Sequence, residues 1–558
     1  MKKRLLYIVA GLIGLSACNE STFLEEIPKD FLSPENAYVT YADYESALTG
    51  LYNMVRNYEY NEASLNCFFG TDLAYNARGD NNRLGDLVTA YVPTSGMVRT
   101  IWDNQYKLIK NANTIFSRVA KSSLKDEEKS RISAEARFFR AFAYRTLVYY
   151  FGGVPLNREE ISAPKTDFVR NSKQEVLEMM REDFEYAAEN LKGINEVADG
   201  RVSDLVAKHY LAETCISLGY YKSAEKYAGE VIDSPETSLM TQRFGSRVSA
   251  VPEGDVYFDL FQRNNQNRKS AGNKEALWVI QMEEDVKGGY TETTGSYNYP
   301  LERYHCPAIY LCTDPEGKTA MLGKNGRSDF NIGGRGVSFL RTTDWHLNRN
   351  WGKDYDTDIR NSAVNIVRTA YYDLPSSPYF GKSVIDPETM SKNYKAQNWR
   401  WYPWLTKATC PGDHPEPLYA DKELKTLTSA AGTTYSDQYM LRLAETYLLR
   451  AEAYMYDNQL QKAADDINAV RRRAKASDVS ANEVTLDYIL DERARELSLE
   501  ERRKLTLYRT GKFVERTRKY NELQGGQVAD YMALFPIPFS FIEANTGAVI
   551  EQNPGYSN

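Results

Sequence analysis

The most conspicuous acid–base cluster in this sequence is the charged run from Asp491 to Glu496, which Glu500 and the residues after it continue. Paired carboxylates act as acid and base in glycoside hydrolysis. The spacing favours another interpretation, because Asp491 and Arg495, like Glu500 and Lys504, stand four residues apart and face each other on a helix. We therefore predict that these charges form ion pairs that stabilise a helix, and that they are not catalytic.

Two other motifs begin like ligand sites but lack required residues. Residues 317–319, Gly-Lys-Thr, end like a phosphate-binding loop, but Cys312 stands where the first glycine belongs. Residues 354–358 begin like a calcium loop, but Ile359 replaces the glycine and Asn365 the final glutamate. Neither an HExxH nor a GxSxG motif occurs. The sequence thus predicts no enzymatic activity, no metal and no cofactor.

Cysteine usage and net charge limit the remaining classes of site. Six cysteines show no CxxC pairing, and the chain has four histidines, so a zinc site is not indicated. Cys306 and Cys312 are close enough in sequence for a local disulfide, which the sequence leaves open. A net charge of −7 argues against a nucleic-acid partner, because phosphate binding needs a basic face.

Aromatic residues offer the best material for a ligand surface. The chain has 41 tyrosines, and five of its seven tryptophans lie between Trp345 and Trp404. Tyrosine and tryptophan present a flat apolar face together with a polar group, which suits both helix packing and ligand stacking. We expect most of these side chains to be in the core and the rest to contact a ligand.

The N-terminus predicts a secreted, lipid-anchored chain. Lys2 to Arg4 precede an apolar run from Leu5 to Leu15, which is shorter than the roughly 20 residues that span a membrane. Residues 15–18, Leu-Ser-Ala-Cys, resemble the lipobox of bacterial lipoproteins, in which cleavage precedes the cysteine and its sulfur carries lipid. We predict a signal peptide over 1–17, a lipidated Cys18 and a tether over 18–35. An ordinary signal peptide is the alternative.

Helical periodicity predicts the elements that would hold such a surface. Apolar residues recur at helical spacing over 42–57, 101–120 and 127–150. Residues 208–235 and 447–474 each fit a tetratricopeptide helix pair, with small residues where the helices touch and Gly or Asn at the turn.

The segment 240–435, between the two repeats, is different in composition. It is rich in Gly, Pro, Asn and aromatic residues and shows little helical period. We predict an irregular insertion on a mainly α scaffold, and binding residues often lie on such loops.

Three passages carry a family resemblance: residues 134–156 (AEARFFRAFAYRTLVYYFGGVPL), residues 441–513, which begin LRLAETYLLRAEAY, and residues 535–556 (FPIPFSFIEANTGAVIEQNPGY). Together they resemble the SusD/RagB family of outer-membrane nutrient-binding lipoproteins. The resemblance implies a mainly α, SusD-like fold with tetratricopeptide-type helices in an N-terminal region, 36–239, and a C-terminal region, 436–558. The insertion of 240–435 separates the two regions.

The resemblance also implies a function. It predicts a lipid-anchored protein on the outer face of the cell outer membrane that binds an oligosaccharide without cleaving it. The partner implied is a SusC-like TonB-dependent transporter. Peptide binding, as in RagB-like uptake proteins, is one alternative, a surface glycosidase is another, and a scaffold that binds only protein is a third.

Family order implies that the N-terminal loop and the insertion together form the ligand surface. The correspondence is by region and not by motif. The candidate ligand-binding residues are Asp72, Tyr75, Arg78, Tyr290, Tyr297, Tyr299, Arg335 and Trp345.

The lipobox interpretation makes a direct prediction. Replacing the lipid-bearing sulfur by Cys18→Ala should release the protein from the membrane fraction or leave the precursor uncut, because the cysteine is both the cleavage boundary and the lipid acceptor. Membrane fractionation with mass spectrometry of the N-terminus measures this. Unchanged processing and membrane association in Cys18→Ala would show that the motif is not a lipobox.

Overall fold

The structure is a computed structural model that describes residues 37–78, 85–283, 299–324, 327–328 and 334–557. The predicted signal peptide, Cys18 and the tether over 18–35 lie outside the described residues, so the lipid anchor stays a prediction. No helix among the described residues is long and apolar enough to cross a membrane.

Helices dominate both ends of the described chain. In chain order, the α-helices are α1 (Tyr41–Glu59), α2 (Leu87–Ala90), α3 (Gly96–Val119), α4 (Asp126–Phe151), α5 (Lys173–Asn190), α6 (Asp204–Leu218), α7 (Tyr221–Ile232), α8 (Val256–Leu260), α9 (Arg268–Ala271), α10 (Leu301–His305), α11 (Lys392–Ala396), α12 (Leu443–Tyr456), α13 (Leu460–Arg473), α14 (Leu486–Leu497), α15 (Arg503–Arg509), α16 (Phe513–Tyr520) and α17 (Phe539–Ala544).

The helices predicted from periodicity are present. The three predicted over 42–57, 101–120 and 127–150 are α1, α3 and α4, each with ends within about five residues of the prediction. Thr40 and Asp43 form a capping box at the start of α1. Helix α4 ends at Gly152, whose φ of 74° is a conformation that glycine adopts without strain.

Both predicted helix pairs are confirmed, as α6–α7 and α12–α13. Gly219 and Asn458, at the two turns, have φ values of 81° and 57°, in the left-handed region. Ala224 and Ala463 are fully buried where the paired helices approach. Helix α7 packs directly on α12, so the two pairs are neighbours in space although the insertion separates them in sequence.

Short strands organise the region between the pairs. In chain order they are β1 (Ala74–Asn76), β2 (Ala276–Ile280), β3 (Arg327–Ser328), β4 (Leu340–Thr342), β5 (Ile366–Val367), β6 (Trp404–Leu405), β7 (Tyr419–Asp421), β8 (Thr426–Leu427) and β9 (Gln438–Arg442). Strands β2 and β9 pair antiparallel and bring the two ends of the segment between them together. The insertion boundaries at 240 and 435 stay a prediction.

The insertion has apolar clusters of its own. One of them contains Cys306, Met321, Trp401 and Trp404, all buried. Cys306 and Cys312 are both free thiols, so the disulfide that the sequence left open is not formed.

The charged run predicted to stabilise a helix does lie on a helix, α14, but its partners were predicted wrongly. Asp491 pairs with Arg516 at 2.6 Å instead of Arg495, and Glu500 pairs with Arg442 at 2.6 Å instead of Lys504. These are contacts between distant parts of the chain. The structural interpretation of the run is therefore correct, whereas the local i,i+4 geometry is not.

Glu496 is the centre of this buried network. Its carboxylate contacts Arg442 on β9 at 2.9 Å and Arg360 of the insertion at 3.1 Å, and it also pairs with Arg473 on α13. All four side chains are at most 1% exposed. Burial alone would raise the pKa of Glu496, but the three guanidinium groups hold this pKa well below its usual range.

Removing this carboxylate should destabilise the fold severely. Glu496→Gln leaves three buried guanidinium groups without their shared counter-ion, and we expect the free energy of unfolding to fall by about 3–5 kcal/mol. Urea denaturation followed by circular dichroism measures it. The matched control is Asp478→Asn, because the Arg472–Asp478 pair is exposed and screened by water. Equal stability of Glu496→Gln and the control would contradict a structural role for the network.

The same network sets the direction of the pH dependence. A carboxylate whose pKa is lower in the folded state contributes stability above its unfolded pKa, near 4.5, and this contribution is lost as the pH falls through the folded value. The wild type should therefore lose stability below about pH 4.5 more steeply than Glu496→Gln does.

Candidate ligand-binding surface

The N-terminal loop and the insertion meet at a strand pair. Strands β1 and β4 run antiparallel, with Tyr75 opposite Arg341. The Ala77 N–H donates to the carbonyl oxygen of Phe339 at 2.8 Å, which extends the pairing by one step. Residues from these two distant segments are therefore held side by side, as the resemblance implied.

Just beyond this strand pair, cationic and aromatic side chains form a stack. The Arg78 guanidinium lies 4.2 Å from the ring centroid of Trp399 and 5.3 Å from that of Phe339. The Arg400 guanidinium lies 5.1 Å from the Trp399 centroid. All four side chains are partly exposed. We call Arg78, Phe339, Trp399 and Arg400 the Arg78–Trp399 surface.

Two hydrogen bonds fix the cations of this surface. Arg78 Nη1 donates to the carbonyl oxygen of Val337 at 3.3 Å, and Arg400 Nη1 donates to that of Leu311 at 2.7 Å. Both acceptors belong to the insertion, so the surface is anchored on backbone and not only on mobile side chains. Such anchoring reduces the conformational entropy that would be lost when a ligand binds.

A further cation–aromatic cluster lies on the strand pair itself. The Arg341 guanidinium lies 5.4 Å from the ring centroid of Tyr402 and 6.0 Å from that of Tyr75. Tyr75 is 7% exposed, and its burial raises the pKa of its hydroxyl to about 12. The hydroxyl therefore stays protonated at neutral pH and acts as a neutral polar group.

The chemistry of this arrangement suits binding more than catalysis. An indole face offers stacking to a ligand with apolar C–H groups, and guanidinium groups donate hydrogen bonds to hydroxyl or carboxylate oxygens. The carboxylates of the charged run, Glu492 and Glu496, are instead fully buried in ion pairs, out of reach of a substrate. Within the described ranges, no cluster of three or more His, Cys, Asp or Glu side chains could hold a metal ion.

Asp72, predicted to contact the ligand, is fully buried. Its carboxylate receives Arg503 Nη2 at 2.6 Å and Arg516 Nε at 2.7 Å. Burial would raise the pKa of Asp72, but these two guanidinium groups keep it well below the usual range. The structure therefore gives Asp72 a structural role, which is to tie the N-terminal loop to α15 and α16.

Three other predicted residues are also inside the protein. Tyr299 is 1% exposed and packs edge-on against Tyr60, with ring centroids 5.1 Å apart. Trp345 stacks on Tyr520 with ring centroids 4.3 Å apart. Arg335 is 5% exposed, and its backbone N–H donates to Glu302 at 3.0 Å. None of these side chains forms part of the Arg78–Trp399 surface.

The remaining candidates divide into two groups. Tyr290 and Tyr297 lie outside the described residues and stay predictions. Arg78 is partly exposed and lies in the stack, whereas Tyr75, on β1, is buried. Of the candidates that the structure describes, Arg78 is the one that lies on this partly exposed surface.

Trp399, Arg400 and Phe339 were missed as individual residues. Trp399 and Arg400 belong to the sequence NWRWYPW, residues 398–404, where one arginine stands between two tryptophans. Partial exposure separates Trp399 from the buried Trp401 and Trp404, and no sequence pattern reports it. The arginine directly beside Trp399 was the available signal.

Comparison with protein-family models gives two matches that together cover most of the chain. Residues 274–556 match the model described as "SusD family". Residues 22–211 match the model described as "Starch-binding associating with outer membrane".

Individual relatives match over different lengths. SusD-like protein P25 of Formosa agariphila is 24% identical over 97% of both chains. Starch-binding protein SusD of Bacteroides thetaiotaomicron is 40% identical over 127 residues, which is 22% of each chain.

Solved structures share the fold. A laminarin-binding SusD-like protein aligns with a TM-score of 0.66 at 21% identity, over 93% of this chain and all of its own. Surface glycan-binding protein A of Bacteroides thetaiotaomicron, in complex with laminarihexaose, aligns with a TM-score of 0.64 at 18% identity, over 92% of this chain and 99% of its own.

Proposed function

The chain belongs to the SusD family, and we propose that it is a surface lipoprotein that binds an oligosaccharide and delivers it to a SusC-like TonB-dependent transporter. The observation that carries the proposal is the Arg78–Trp399 surface, where two guanidinium groups lie 4.2 and 5.1 Å from the ring centroid of a partly exposed indole. Sugar rings present apolar C–H faces and many hydroxyl groups, so stacking and hydrogen bonding are both used. Two structural relatives support this class of ligand, one described as laminarin-binding and the other solved in complex with laminarihexaose.

The lipid anchor and its outward orientation are part of the proposal. The match of residues 22–211 to a family described as associating with the outer membrane supports an outer-membrane location. That match begins a few residues after Cys18, the predicted lipid acceptor. A lipid at this position would hold the binding surface at the membrane without a spanning helix.

Delivery to a transporter follows from the physics of weak binding. A ligand released from an isolated protein diffuses away, whereas a ligand released above a transporter entrance meets it at a high effective concentration. The packed helices α3 to α7 and α12 to α13 form an extended rigid face on which such a contact can be built. We propose that the helical scaffold contacts the transporter.

The first test concerns the ligand. A glycan array with a second panel of peptide mixtures should give binding to oligosaccharides, and Trp399→Ala should weaken the strongest interaction by about 1–3 kcal/mol through loss of stacking. Tyr220→Ala is the matched control, because Tyr220 is an exposed aromatic residue on the helical scaffold. Isothermal titration calorimetry measures both variants. Binding to peptides alone would show that the ligand is a peptide and not a glycan. Unchanged affinity of Trp399→Ala would show that the Arg78–Trp399 surface is not the binding site.

The second test concerns the partner. Mild detergent extraction from native membranes, followed by affinity purification, should recover this protein together with a barrel protein of the size of a TonB-dependent transporter. The complex should survive in Trp399→Ala, since that substitution affects the ligand surface alone. Recovery of the protein by itself at native expression level would contradict the delivery model.

A further inference from the structure

A cavity of about 310 Å³ lies among the helices α1, α3, α4 and α15, at a place that the binding surface does not use. Ala63, Gly96 and Thr100 line its exposed side, and Tyr150 and Phe535 line its buried side. Apolar side chains form most of the interior. They include Met97, Ile101, Leu505 and the rings of Tyr58, Tyr150 and Phe535. Its volume is at the lower end of the range for small-molecule sites.

One cation lines this cavity without a partner. Lys504 is 2% exposed, and its Nζ atom has no hydrogen-bond partner among the described residues. The nearest aromatic contact is Tyr91, whose ring centroid is 5.8 Å from Nζ. A buried ammonium group normally requires a hydrogen-bonded counter-ion, so its position on the wall of a cavity points to a partner outside the described residues, which a bound anion would supply.

The other charged groups of the cavity satisfy each other. Arg502 Nε donates to the Glu59 carboxylate at 2.7 Å, and Arg502 Nη2 donates to the Glu59 carbonyl oxygen at 2.8 Å. The Arg502 guanidinium also lies 4.4 Å from the ring centroid of Tyr60. Glu59 is thus committed to Arg502, which leaves Lys504 as the lining charge that a ligand can neutralise.

We propose that this cavity binds a small aromatic carboxylate, with its ring between Met97, Ile101 and Phe535 and its carboxylate on the Lys504 ammonium group. The apolar lining supplies the area that an aromatic ring buries, and the charge–charge hydrogen bond supplies the orientation. This site is separate from the Arg78–Trp399 surface and does not depend on the glycan function.

Protonation of Lys504 gives the site a characteristic pH dependence. Burial lowers the pKa of Lys504 to about 7, and the nearby Cys67 is the one group that opposes this shift. Burial raises the pKa of the Cys67 thiol to about 11 and raises those of Tyr58, Tyr91 and Tyr150 well above 10. Lys504 therefore gains or loses its proton near neutral pH, whereas the Cys67 thiol and the three tyrosine hydroxyls stay protonated and neutral. An anion should bind more tightly below this pKa than above it.

Matched probes test the proposal on the wild-type protein. We suggest 4-hydroxyphenylacetate and its neutral analogue 4-hydroxyphenylacetamide, followed by saturation-transfer NMR and calorimetry one pH unit below and one above the Lys504 pKa of about 7. The acid should bind at least about tenfold more tightly than the amide at the lower pH, the equivalent of one ion-pair hydrogen bond. This preference should shrink at the higher pH. Absence of saturable binding of the acid, or equal binding of acid and amide at both pH values, would overturn the proposal.

Variants separate a binding role from a structural one. Lys504→Met keeps an unbranched side chain of similar shape but removes the charge, and it should abolish both the preference for the acid and its pH dependence. Lys504→Met should also raise the melting temperature of the unliganded protein, because an unpaired buried amine no longer has to be accommodated. Lys110→Met is the matched control on α3, since Lys110 is exposed.

Two further outcomes are decisive. Trp399→Ala should leave probe binding unchanged, which distinguishes the cavity from the glycan surface. A melting temperature that falls in Lys504→Met, together with unchanged acid binding by that variant, would show that the ammonium group serves the fold and would refute the site.

Discussion

The contact between Glu496 and its three arginines joins the insertion to the C-terminal helices. Arg360 comes from the insertion, Arg442 from β9 and Arg473 from α13, while Glu496 itself lies on α14. Transferring one such charge from water into the protein interior carries a large desolvation free energy, and only several well-placed counter-charges offset it. The four elements are therefore required to be in register with one another, because a displacement of any of them would leave a buried charge unpaired.

The same principle positions the binding surface. Asp72 lies in the N-terminal loop six residues before Arg78, and its two salt bridges hold that loop against α15 and α16. Strand β1 begins two residues after Asp72 and pairs with β4, the strand next to Phe339. A buried charge in the scaffold thus fixes the backbone from which Arg78 reaches Trp399. This gives Asp72 an influence on the surface through positioning and not through contact with ligand.

Sequence reasoning succeeded where the information was local. Helices α1, α3 and α4 and the two helix pairs follow from a periodicity that each segment carries within itself, and the irregular insertion follows from its composition. It failed where a side chain's role depends on distant residues. Asp491 and Arg495 have the right spacing for a local pair, yet Asp491 pairs with Arg516 on α16, which the segment containing α15 brings back against α14. The exposed fraction of Trp399, compared with the buried Trp401, depends in the same way on tertiary packing.

The start of α15 shows how one turn of chain can serve both the fold and a ligand. Arg502, Arg503 and Lys504 are consecutive cations that point into the protein at three different places. Arg502 forms a salt bridge with Glu59 and Arg503 forms one with Asp72. These two salt bridges hold α1 and the N-terminal loop against the start of α15. Lys504 ends at the cavity wall instead. Because the two preceding arginines fix the backbone directly before it, the Lys504 side chain leaves the chain at a fixed position, and it is buried against the cavity. Its ammonium group is therefore held in place in advance, which lowers the entropic cost for an anionic ligand that binds there.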